Sequence, residues 1–193
     1  MAQENNPLSN LKSLLRWNPT ARQCLNWTIT IVSAIACVIL LPARLPGMEL
    51  LGIGPNWPLI WVVAWSIKRT TLQGAFAGLV LGLLQDGMTS PHPTHALSLI
   101  VVGALTGHFQ KQRYIQEDFI SIALIAFGMA IVAETVLAVQ FHLTGDRTLT
   151  DIWMDNQRIA LSSAILSSLW APVVYFPLSR WWQLVNSYEQ SQT

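Results

Sequence analysis

The side chains able to do chemistry in this sequence are few, and they stand far apart. Glu134 lies inside a long apolar stretch, several residues from either end. A charge at that depth in lipid costs at least ~2.5–3.5 kcal/mol, so the carboxyl must be neutral, paired or facing a wet cavity. It is expected either to meet a partner or ligand, or to be a protonated acid bonded to a neighbouring helix through Ser162 or Ser163. Asp86, His92 and His95 flank a run of breakers, DGMTSPHPTH. Their types suit zinc, but their spacing matches no metal motif, and no metal is expected. A better use for Asp86 is to accept backbone N–H groups at the start of the next helix, where the dipole favours an anion, and to pair with His95. Serines are plentiful, yet none sits in G-x-S-x-G, and no phosphate-binding glycine loop is present. No catalytic residue and no cofactor site follows, so the chain is not expected to be an enzyme.

The segment that positions Asp86 is GAFAGLVLGLLQD, residues 74 to 86. Gly74, Gly78 and Gly82 recur every four residues, and Asp86 continues the interval, which places all four near one helix face. In water three such glycines weaken a helix by about 1 kcal/mol each relative to alanine. In a bilayer they let another backbone approach closely. Gly103 and Gly107 repeat the pattern on the next helix. These small-residue faces are expected to pack helices, with the strip on the third helix receiving a foreign one.

Composition fixes the surroundings. Only 11% of the 193 residues are charged and 52% are hydrophobic, with mean hydropathy +0.41. A soluble domain carries about 25% charged residues, so this is an integral membrane protein. A net charge of +1 leaves no footprint for nucleic acid. Cys24 and Cys37 fall on one helix, roughly 20 Å apart, too far for a disulfide. The first twenty residues are polar and lack an apolar signal region, so no cleavable signal is expected.

The spacing predicts an all-α domain over 24–182 with six transmembrane helices. Residues 1–23 form an N-terminal segment with a short amphipathic piece around Leu8, Leu11, Leu14 and Leu15, and 183–193 form a polar tail. The helices are predicted at 24–41, 57–67, 71–85, 94–110, 119–143 and 159–178. Helix two is too short for a full crossing and is read as short or broken; Trp57, Trp61 and Trp65 make a stripe that is lipid-facing or a packing ridge. Helix five carries Ala126 and Ala130 at the glycine spacing, and TGDRTLTDIWMDNQ reads as an acidic outer loop. With six crossings, Lys12, Arg16, Arg22, Lys68, Arg69, Lys111, Arg113 and Arg180 share one side, against Arg44, Arg147 and Arg158 on the other. That excess places both termini in the cytoplasm.

Residues 74 to 104, GAFAGLVLGLLQDGMTSPHPTHALSLIVVGAL, resemble the MreD family of bacterial rod shape-determining membrane proteins. Gly78, Gly82, Leu83, Asp86, His95, Ala96 and Leu97 occupy the places of that family's G-x-x-x-G-L-x-x-D helix and the start of the helix after it. The turn departs from the pattern, with Pro91-His92-Pro93-Thr94 where a Leu-Gly dipeptide is usual. The resemblance implies a non-enzymatic scaffold of the cell-elongation machinery in the bacterial inner membrane. Its implied partners are membrane lipid, the transmembrane helix of MreC and, indirectly, MreB and the peptidoglycan synthases, with a homodimer left open. It also implies a fold similar to the substrate-binding component of energy-coupling-factor transporters. The alternative function is therefore a vitamin-binding subunit of such a transporter, with a cavity near Glu134, His95 and the tryptophans.

Overall fold

The computed structural model describes residues 19–43, 48–50, 52–89, 94–111, 118–144 and 149–190. Six helices lie among them: α1 (Pro19–Ile39), α2 (Trp57–Ser66), α3 (Thr71–Met88), α4 (His95–Lys111), α5 (Phe119–Thr144) and α6 (Leu149–Gln190). The amphipathic piece expected before Pro19, and His92 with the rest of the 90–93 turn, lie outside the described residues.

α2 is the axis of the molecule. Nine of its ten residues are buried, all but Trp65. Its apolar character runs round the whole cylinder, which is the signature of a helix with no outward face. At about 15 Å it is half a membrane thick, so the sequence reading of a short segment holds. It is an unbroken helix, however, and the breakers before it form a separate turn, closed by paired backbone bonds between Leu50 and Ile53 with Gly52 at φ 79°. That φ lies in the left-handed region glycine adopts without a Cβ penalty. Two of the three tryptophans face inward and the third is half-buried: Trp57 and Trp61 are buried, Trp57 packs 5.7 Å from Trp170 of α6, and Trp61 stacks 6.0 Å from Trp65. Of the two readings of that stripe, the packing ridge holds for Trp57 and Trp61, and the lipid-facing option is corrected for those two. α2 packs most closely on α6, α3 and α4, with α1 and α5 in lesser contact.

Around this axis stand two antiparallel pairs, α3 with α4 and α5 with α6, which make the most extensive contacts in the molecule. Their interior is largely apolar but also takes in hydroxyls, and their outer surface is rich in large apolar side chains. Ser98, Thr106, Ser162, Ser163, Ser167 and Ser179 are buried, while Leu72, Phe76, Ile120, Leu124 and Leu169 are exposed. Apolar side chains facing outward have no reason to hide in lipid, and hydroxyls facing inward find backbone carbonyls, as Thr106 does with Val102 at 2.8 Å. Phe119–Leu143 and Ile159–Leu184 are each long and apolar enough to cross a membrane alone, whereas Gln23–Ile39, Trp57–Ser66 and His95–Phe109 are apolar but shorter.

Two boundaries differ from the sequence reading for physical reasons. α1 begins at Pro19, because proline's fixed φ and missing N–H suit a first helical turn. α6 begins at Leu149 and continues for 42 residues, so the segment read as an acidic loop is helical from there onward. Pro172 and Pro177 lie inside α6 without ending it, as is common where neighbouring helices and hydroxyl side chains re-satisfy freed backbone groups.

Candidate functional site

The site is the α3–α4 hairpin, and the sequence encodes its start. Thr70 and Gln73 form a capping box: the Thr70 hydroxyl accepts from the Gln73 N–H and the Gln73 side chain accepts from the Thr70 N–H. Reciprocal caps of this T-x-x-Q type satisfy two otherwise unpaired donors and fix where the helix begins.

From there the glycines run along the face turned to α4. A Cβ on Gly74 would collide with the Gly103 carbonyl, one on Gly78 with that of Leu99, and one on Gly82 with the Ala96 backbone. Gly103 is blocked in turn by Gly74, and a Cβ on Gly107 would stand 2.9 Å from the Thr71 Cα. The two backbones touch along the whole hairpin. The strip expected to receive a foreign helix is therefore filled by the protein's own α4, and that expectation is corrected. The steric reason is mutual: both helices carry small residues at matching heights, so each closes the other's groove.

Asp86 locks the far end of the hairpin. Its carboxylate accepts from the Thr94 hydroxyl at 2.6 Å, the His95 N–H at 2.7 Å and the Ala96 N–H at 3.3 Å. His95 Nδ1 lies 2.8 Å from the same carboxylate, a bond that requires the proton on Nδ1, since a carboxylate only accepts. One anion thus satisfies the first donors of α4, at the end of the helix dipole where negative charge is favoured. Gln140 of α5 adds a bond from its Nε2 to the Thr94 carbonyl at 3.1 Å, bringing a third helix to the turn.

Glu134 is separate from this group. It is buried on α5, as are Ser162 and Ser163 on the partnering helix α6. Among the described residues no three His, Cys, Asp or Glu side chains group as metal ligands would. One cleft is lined by Lys68, Arg69, Leu72, Gln73 and Gly107, another by Leu40, Met48, Glu49, Pro55 and Trp57; neither includes Glu134 or His95.

Other joining residues carry little signal in the sequence. The Asn56 side chain caps α2 by accepting from the Leu59 N–H at 3.1 Å, and the Asn56 N–H donates to Ser167 of α6, also at 3.1 Å. Trp61 Nε1 donates to Ser33 of α1 at 2.9 Å. Only Asn56 is readable in advance, because an Asn before Trp-Pro fits a helix N-cap with proline in the first turn.

These features define a class: an all-helical membrane protein whose polar groups join its own helices. Residues 21–182 match the family model described as rod shape-determining protein MreD. The chain belongs to that family, and its role lies in determining rod shape. No curated protein and no solved structure matches it.

Proposed function

We propose that this protein is a non-enzymatic scaffold of cell elongation. It would cross the inner membrane six times, with both termini in the cytoplasm, and link MreC and the MreB cytoskeleton to lateral peptidoglycan synthesis. The observation that carries the reading is the self-sealed hairpin. α3 and α4 are in backbone contact from Gly74–Gly103 to Gly82–Ala96, and Asp86 closes the turn. A pair held so closely is suited to act as a stiff edge against which other proteins are positioned. With the glycine face occupied, a partner helix would meet the outer surface of the bundle, where Leu72, Phe76 and Leu83 of α3 project.

The six-crossing reading is supported by the sidedness of the basic residues and by the antiparallel register of α3 and α4, in which Gly74 meets Gly103 and Gly82 meets Ala96. Depletion of the protein in its host, followed by microscopy, tests the role: cells should round and widen, and unchanged rods would refute it.

A further inference from the structure

At the end of the bundle where α2 gives way to α3, a cleft of about 520 Å³ opens between Lys68, Arg69, Thr71, Leu72, Gln73 and Gly107. That volume falls within the ~300–1,000 Å³ typical of small-molecule sites. Among the described residues that line it, Lys68 and Arg69 are cations and none is acidic. Both cations are half-buried rather than splayed into solvent. The Arg69 guanidinium lies 5.2 Å from the centre of the Trp65 ring, which holds it over an aromatic face. One wall is apolar and open, with Leu72 83% exposed. The floor is the crossing of α3 and α4, where a side chain on Gly107 would press on Thr71.

We propose that this cleft binds the phosphate of an anionic phospholipid. Paired cations at a helix-bundle end match a phosphate in charge, and basic pockets at that level between membrane helices suit lipid headgroups. The exposed Leu72 beside them suits the start of an acyl chain, and a free inorganic anion would make no use of it. Trp65, stacked on Trp61, holds the Arg69 guanidinium in place beside the cleft. The site is distinct from the scaffold role and needs no protein partner.

The test uses the full-length protein in nanodiscs of phosphatidylglycerol and phosphatidylcholine, released into detergent and read by native mass spectrometry. Wild type should retain phosphatidylglycerol in preference to phosphatidylcholine. The Lys68→Gln/Arg69→Gln double variant should lose about thirtyfold in that preference. Arg180→Gln, which removes an exposed cation on α6, should retain it. Equal retention by the double variant, or equal loss in Arg180→Gln, overturns the proposal. Displacement of the lipid by excess inorganic phosphate overturns it too, in favour of a free-anion site. Should the double variant fail to fold, Thr71→Phe fills the cleft with both charges kept: it should lose the lipid, and unchanged retention would contradict the site.

Discussion

A carboxylate that holds a turn does so by number of bonds rather than by strength of any one. Asp86 takes three donors from Thr94, His95 and Ala96 and a fourth from the His95 ring. Its side chain is only 10% exposed, so water replaces those bonds poorly. Asp86→Ala should destabilise the purified protein by about 2–4 kcal/mol, since bonds to a charged group contribute ~1.5–3 kcal/mol each and the freed donors lose their partner. Asp86→Asn should fall between, because one amide oxygen still accepts while its NH₂ faces donors. Thermal unfolding in detergent measures both, and wild-type stability in Asp86→Ala would show that the turn does not depend on the carboxylate. The role of Asp86 was legible in the sequence because an acid at a helix end, then breakers, then a new helix start, leaves few other uses for it. The bond from Trp61 to Ser33 was not legible, as nothing in either segment says which serine faces which ring. Ser33→Ala should cost about 1 kcal/mol by the same assay, the usual net worth of one neutral hydrogen bond.

At the scale of elements, what governs the hairpin is how closely two helix axes approach. Gly78→Ala should cost about 1–3 kcal/mol, because its Cβ falls on the Leu99 carbonyl and rigid backbone must move. Gly87→Ala on the same helix meets nothing within 4 Å. It should be neutral, or stabilising by up to about 1 kcal/mol through helix propensity. Equal effects at the two positions, in parallel melts, would mean that glycine acts through propensity rather than contact. The four-residue spacing announced a packing face but not its occupant, since a groove reads the same whether a neighbour or a stranger fills it. The matching Gly103 and Gly107 on α4 were the available hint. α6 was under-read for a different reason. Hydropathy marks the part of a helix that touches lipid, and its polar first turns, including TDIWMDNQ, carry no such mark while remaining helical. α2 was read correctly in extent, but its all-round apolar sequence left open whether lipid or protein surrounds it.

For the whole molecule, the exposed large apolar side chains and the family relationship agree on a membrane protein of rod shape determination. The central claim is that the small-residue strip seals the bundle from within and does not serve as the dock for another protein. Gly78→Leu separates these directly, because the two roles place the damage in different measurements. The purified variant, free of any partner, should unfold more than about 3 kcal/mol more easily than wild type, as overpacking against the α4 backbone requires. A variant that melts like wild type on its own, yet loses a protein partner that wild type retains on purification, would contradict the account and return the strip to the role of a docking surface.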